Sequence, residues 1–499
     1  MALFFGPTDN WSWDPSFYYA HIRSPIIDGD LDFRNETKTG QFELPYTRNG
    51  LQHSLWPLGP SLLWSPFFLL AHGLTLLINP AHADGFSFLY IAFVTVSSLA
   101  FGMVGLGLLY QICRYYTRPH QALLITLLCL GATPLFFYMF RQPLMAHTTG
   151  LAAAAGMLLG FMHLTRSQAP LHSWSGAIFG VGLVLCFLTR WNGILMGVLP
   201  AIYFAAYLFP AIKQRSLRET WPVVRQIGIM LTIFGLLLTP QLALWYRLHG
   251  TFFMLPQDGG SFVASWLPTN LLHIFFHTNR GLLYWSPLVI LGMLGIFFIP
   301  AWRVRLAAIL IITMQLVLIG YRRDWYSGGG FGARYFIELL PFLVLGLIAL
   351  LQRLPQARMW NIALGVGAIV LVIHQFTLLY VVERITEGWI EPAAYFQGQP
   401  LGLAWQYEAL LHLVRDPLAW FSPRPYVGLD RQTIVTSLLT GPHPTNVYAI
   451  SGTALVLSIP VALLFATIWR LSQRFGILPL LFAITAYFVA WALFILVVG

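Results

Sequence analysis

LWPLGPSLLWSPFFLLAHGLTLLI, residues 55–78, is an apolar stretch that carries Pro57, Gly59, Pro60, Pro66, His72 and Gly73. Those residues suit an interrupted or surface-lying helix better than a clean membrane span. Whether it crosses decides which face of the membrane receives everything before it. That a membrane is involved follows from composition. Of 499 residues, 57% are hydrophobic and 9% charged, against roughly 25% charged in soluble proteins. The chain reads as an all-α polytopic membrane helix bundle.

A span needs about 20 apolar residues. The expected spans are 86–110, 121–139, 144–163, 173–189, 192–209, 226–246, 282–300, 304–321, 335–352, 359–382, 445–469 and 476–498, about twelve in all. If 55–78 does not cross, one face receives Arg114, Arg118, Arg166, Lys213, Arg215, Arg218, Arg225, Arg303, Arg305, Arg353, Arg358, Arg470 and Arg474, with Glu219 the one acid among them. That is a strong positive-inside pattern. Residues 1–85 then form a first outer loop with juxtamembrane helices, 86–382 the main bundle, 383–444 an outer interfacial loop and 445–499 a final pair of spans. Within the late loop, LGLAWQYEALLHLVRDPLAW (401–420) has apolar residues at helical spacing and suits a helix at the interface. The net charge of +10 is scattered through short loops, which fits membrane topology and gives no reason to expect nucleic acid.

The first fifty-three residues hold seven carboxylates against four basic side chains. Here WSWDPSFYYAHIRSPIIDGDLDF (11–33) places Asp14 among aromatic rings, where burial makes a carboxylate a better base. Asp14 and Pro15 also read as the cap and first residue of a helix. Asp28, Asp30 and Asp32 resemble a metal loop only loosely, and a solvated turn is the expectation. No cleavable signal peptide is visible in MALFFGPTDN.

The same face receives Arg141 and His147 in FRQPLMAHTTG, Arg190 in LTRWNG, Arg280 in FHTNRGLLYWSP, and Arg322, Arg323, Asp324 and Arg334 in YRRDWYSGGGFGARYF. Arginines at span ends on the outer face run against the usual bias. Their natural partner is phosphate, because guanidinium offers a planar fork of donors that stays charged near lipid. Each residue also has a plainer reading. Arg334 can snorkel from a glycine-rich turn, Arg280 can belong to a helix N-terminal turn, and Arg190 can pair within the bundle. His147 can be a satisfied residue at a helix end. Arg322 and Arg323 are expected to be solvated. HIFFH (273–277) lacks the glutamate of a zinc-protease helix. Cys113, Cys129 and Cys186 form neither a disulfide framework nor a metal motif. No phosphate-binding loop, dinucleotide fingerprint or GxSxG elbow occurs.

Taken in order, these motifs form a series: Asp14 with Tyr18, DGDLDF, WPLGPSLLWSP, PLMAHT, LTRWNG, NRGLLYWSP and WYSGGGFGAR. The series resembles the C-type (GT-C) membrane glycosyltransferases, near the family-39, protein-mannosyltransferase-like branch that includes the lipid A aminoarabinose transferases. The resemblance covers most of residues 10–350. It implies a polyprenyl-phosphate-linked sugar as donor and a lipid, glycan or protein acceptor at the extracytoplasmic face, with inversion at the anomeric carbon. It implies that Asp14 is the catalytic base. Arg280 and Arg334, with Arg190 and His147, are expected to hold the donor phosphate. Tyr18, Tyr19 and Trp325 are expected to contact substrate. No metal ligand is assigned, and a divalent metal requirement is left open. The family places a helix before the aspartate, and this reading expects that helix to be missing from the sequence as written. The expected location is the bacterial inner membrane. The competing class is a transporter or flippase of lipid-linked saccharides, which would carry charges near the midplane and often repeated halves.

Overall fold

A computed structural model describes residues 13–36, 44, 46–54, 56–166, 171–254, 262–355, 357–383, 385, 389–417, 419 and 478–498. Among them the chain is helical, with isolated β-bridges at Tyr46–Gln52 and Phe262–Arg322. Helix α1 is Trp13–Arg23, α2 Gly59–Ile78, α3 Phe88–Arg114, α4 Pro119–Gly131, α5 Leu135–Phe140 and α6 His147–Arg166. Next come α7 Ser175–Thr189, a 3-10 segment Trp191–Gly197, α8 Val198–Lys213 and α9 Leu217–His249. Beyond α10, Leu271–Phe276, lie α11 Leu282–Trp285, α12 Pro287–Ile296 and α13 Trp302–Gly320. The 3-10 segment Arg334–Leu339 leads into α14 Leu340–Leu351, followed by α15 Arg358–Glu383, α16 Pro392–Gln397, α17 Ala404–Arg415 and α18 Leu478–Val497.

Among the described residues, eight helices are long and apolar enough to cross a membrane. Seven coincide with expected spans, and the eighth is Gly59–Ile78. In lipid the backbone must satisfy its own hydrogen bonds, so long apolar runs become helices. The chain is an integral membrane protein. Other expected spans appear as shorter apolar helices at 119–131, 175–189, 287–296 and 484–497. The span expected at 445–469 lies outside the described residues, as does much of 383–444. The interfacial helix expected at 401–420 is found at Ala404–Arg415.

One expectation needs correcting. Residues 59–78 form one unbroken helix although Pro66 lies inside it. A proline removes a bond to the carbonyl four residues earlier, here Leu62. That carbonyl accepts instead from the Tyr487 hydroxyl at 2.6 Å and from Ser65 Oγ at 2.9 Å. Side chains have replaced the missing backbone donor, so the helix continues.

Helix ends fall into two groups. The Tyr115 hydroxyl meets the His163 ring, Gln352 Nε2 donates to the Tyr116 carbonyl at 3.1 Å, and Arg353 lies over Phe298. The basic ends of α3, α6 and α14 therefore sit together. The opposite ends carry Arg190, Arg334 and His147. Helices α12 and α14 cross so closely that a Cβ on Gly346 would stand 2.1 Å from the Gly292 carbonyl oxygen, and one on Gly295 would stand 1.9 Å from that of Gly346. Small residues at such crossings let backbones touch. Gly346→Val should cost about 1–3 kcal/mol by overpacking, seen as a lowered melting temperature of the detergent-solubilised protein.

Candidate active site

Helix α1 carries Asp14 in its first turn. Trp13 is already helical, so Asp14 lies inside the helix and not at its cap. Its far end is tied down. The Tyr19 hydroxyl donates to the Gly85 carbonyl at 2.5 Å, and Arg23 Nε donates to that of Asp84 at 2.8 Å. Arg23 also pairs with Asp28 and Glu36 and lies 3.8 Å over the Phe86 ring. Midway, Ser61 Oγ donates to the Tyr18 carbonyl at 2.6 Å. The start of α2 lies hard against α7, because a Cβ on Gly59 would meet the Leu188 carbonyl oxygen at 2.3 Å.

With α1 held this way, Asp14 reaches the 3-10 segment after the glycine-rich turn. Arg334 Nη1 donates to Asp14 Oδ2 at 2.8 Å, across 320 sequence positions. One turn later on that segment stands Glu338. Its Oε1 lies 2.9 Å from His147 Nδ1 and 3.5 Å from Arg190 Nη1. Arg190 Nη1 lies 3.0 Å from His147 Nδ1 and 3.2 Å from Nε2. Gly150 leaves room for this acid, since a Cβ there would stand 2.9 Å from Glu338 Cγ. The Tyr138 ring packs 4.4 Å from that of His147, and its hydroxyl accepts from the Phe331 amide at 2.8 Å. Burial pushes the Tyr18 phenol's pKa up, with Arg190, Asp14, Arg334 and Glu338 near enough to act on it. Its hydroxyl thus stays neutral beside both charge clusters.

Arg280 stands on the other side of Gly330. It adopts φ +66°, a left-handed conformation uncommon outside glycine and enriched at functional sites. Its Nε donates to the Gly330 carbonyl and its Nη1 to that of Tyr395, each at 2.8 Å. The guanidinium stacks 3.8 Å from the Tyr395 ring. Its Nη2 is buried with no partner among the described residues, and so is Arg334 Nε. A Cβ on Gly330 would stand 2.9 Å from Arg334 Nε and 3.0 Å from the Tyr138 hydroxyl. One glycine separates the two guanidinium groups.

The remaining expected residues fall differently. Tyr19 turns away from Asp14, its ring against Phe68. Trp325 packs 5.5 Å from the His273 ring and 5.0 Å from that of His277, and with Arg280 it lines a small crevice. Arg322 is not a free surface charge, since it pairs with Asp324 at 2.9 Å, whereas Arg323 is exposed. Arg141 is fully buried. Asp28, Asp30 and Asp32 bind Arg23, Ser24 and Arg34 respectively, within one compact turn. Among the described residues no group of three or more His, Cys, Asp or Glu is arranged to hold a metal ion.

Sequence reasoning missed Glu338, Tyr138 and Tyr395. Glu338 had a usable signal, a single acid inside the apolar run RYFIELLPF. Tyr395 had none, because its part is played by a backbone carbonyl and a ring face in a segment distant in sequence.

Burial raises the pKa of Glu36 from its ordinary 4.5 to about 7, outweighing its ion pair with Arg23. Such a carboxylate binds its proton more tightly in the folded chain. The stability it contributes is full below 4.5 and is lost as pH climbs to about 7. Glu36→Gln should flatten that fall in thermal denaturation scans across this window, and an unaltered slope would count against it.

No protein-family model matches this chain, and no curated protein matches it. Among solved structures, the crystal structure of ArnT from Cupriavidus metallidurans in the apo state is similar at 16% identity, with all of this chain and 73% of that one covered and a TM-score of 0.41.

Proposed function

We propose that this chain is a GT-C-type membrane glycosyltransferase that moves a monosaccharide from a polyprenyl-phosphate donor to an acceptor hydroxyl at the extracytoplasmic face. The observation that carries this reading is the Asp14–Arg334 contact inside a partly buried, cation-rich site. A transfer of this kind needs a base for the acceptor hydroxyl and cations for the charge that develops on the departing phosphate. Asp14 is the base. Its Oδ2 is held by Arg334, and its Oδ1 has no partner among the described residues, so one oxygen positions the carboxylate while the other serves the acceptor. Arg334, Arg280 and Arg190 receive the phosphate, while His147 orients Arg190. A phosphate monoester is a good leaving group near neutral pH, so the site needs no strong general acid. With Asp14 acting as base and not as nucleophile, the transfer is one displacement with inversion.

The basic helix ends opposite the site support its extracytoplasmic placement, because cytoplasmic loops carry the excess of Lys and Arg. A bacterial inner membrane is the location we propose. A lipid, glycan or protein could each present the hydroxyl. The grouping of charges at one end of the bundle, rather than along its middle, favours an enzyme over a transporter.

Incubating the purified protein with polyprenyl-phosphate sugars and envelope acceptors tests this. Asp14→Asn should lower transfer by at least about 100-fold with donor binding retained. Arg334→Ala should weaken donor binding by about 10-fold to 100-fold, the worth of one charged hydrogen bond. Undiminished turnover in the first variant would remove Asp14 as the base. Unaltered affinity in the second would remove the phosphate role.

A further inference from the structure

Among the described residues, the guanidinium groups gathered around Asp14 and Glu338 outnumber these two carboxylates by one. Arg190 pairs with Glu338 and Arg334 with Asp14, while Arg280 lies across Gly330 from Arg334. Nearby Arg322 and Asp324 pair with each other. The proton that His147 offers to Glu338, with a guanidinium 3.0–3.2 Å from both ring nitrogens, fits a neutral imidazole. We propose that Glu338 sets this excess to a single positive charge and thereby selects a singly charged phosphodiester as the lipid-linked ligand. This rests on the glycosyltransferase reading and names the feature of the donor that the site measures.

The residue is built for a fixed charge. Glu338 is buried, with His147 and Arg190 on Oε1, Gly150 and Cys186 packed around it, Arg334 one turn before it, and Tyr18 and Tyr138 beside that cluster. Its Oε2 has no partner among the described residues. At membrane depth an uncompensated unit charge is costly, so matching total charge discriminates strongly between ligands.

The match holds through the reaction. With a phosphodiester bound, these three guanidinium groups meet two carboxylates and one phosphate charge, and the sum over these described groups is zero. The acceptor oxygen then bonds to the anomeric carbon, and the bond from that carbon to the phosphate oxygen breaks with its electron pair leaving on phosphate. The acceptor proton passes to Asp14. Asp14 is then neutral and the phosphate monoester doubly charged, so the sum is zero again. A monoester dianion entering the resting site would instead overfill it unless Asp14 takes up a proton, and a diphosphate would overfill it even then.

Calorimetry on the full-length protein, in two buffers of different ionisation heat at about pH 8, tests this, because a phosphate monoester with a second pKa near 6 is then a dianion. The ligands are a polyprenyl phosphate, its methyl phosphodiester and the polyprenyl diphosphate. For the wild type, the diester should bind without proton uptake and the monoester with uptake of about one proton. Glu338→Gln should bind the monoester without uptake and gain at least about tenfold in affinity for diphosphate relative to diester. Glu338→Asp, which keeps the charge, should retain the wild-type pattern. Monoester binding to the wild type without proton uptake would overturn the proposal, even if Glu338→Gln fails to fold. So would a Glu338→Gln variant that shifts all three ligands alike. Binding of none of the three would overturn the glycosyl-transfer reading along with it.

Discussion

Arg334 and Asp14 join α1 to a segment 320 positions later through one hydrogen bond of 2.8 Å. The pair is partly buried, and an ion pair withdrawn from water is a poor way to stabilise a protein, because the withdrawal costs about as much as the attraction returns. Apolar side chains of similar volume would hold α1 in place equally well. The pair therefore calls for an explanation beyond folding, and the anchoring of α1 sharpens the point. Arg23, Tyr19 and Ser61 already fix that helix to the 84–86 turn and to α2. The carboxylate is thus presented on a rigid arm rather than used to hold the arm.

The three guanidinium groups share a structural origin. Arg190 is extended between α7 and a 3-10 segment, Arg280 is left-handed before a one-turn helix, and Arg334 opens a second 3-10 segment. A regular helix would direct these long side chains along its own surface towards water. A break in the helix lets them turn inward, and its backbone groups must then be satisfied inside the protein. Glycine makes the close packing possible. Gly59, Gly150 and Gly330 each stand where a Cβ would collide with a neighbouring element. Glycines at positions like these hold the two carboxylates and three cations within one site.

Much of this was legible in sequence, and the reasons differ by residue. The long spans follow from composition alone, because lipid leaves the backbone few alternatives. The association of Asp14 with Arg334 came from placing charges by face, an argument that needs no coordinates. Helix interruptions at Ser286 and Thr133–Pro134 were hidden inside runs that read as single spans, since a hydropathy window does not register a break. The continuity of α2 was hidden for the opposite reason. Proline marks a break only when no other donor reaches the freed carbonyl, and Tyr487 comes from the far end of the chain. Glu338 was overlooked because attention fell on outer-face cations, and Tyr395 because a carbonyl that holds an arginine leaves no mark on its side chain.

Length and composition would let α2 cross a membrane, so its position rests on the contacts at its two ends. Gly59, at its start, touches the Leu188–Thr189 backbone beside Arg190, at the level of the site. Its trailing turn at 84–86 is bound by Arg23 and Tyr19 of α1, the helix whose other end carries Asp14. Helix α1, about 16 Å long at about 1.5 Å per residue, therefore runs from the site to the turn that follows α2. The start of α3 agrees. Tyr90 packs on Phe68 and His72 of α2, whereas Ser98 already meets Thr148 in the first turn of α6, beside His147. The first turns of α3 thus project past the site, on the side away from the basic helix ends, and α2 packs along that projection. These contacts favour a helix that rides on the site's side of the bundle over one that traverses it, and they keep the acidic first loop on the same face as the arginines it meets.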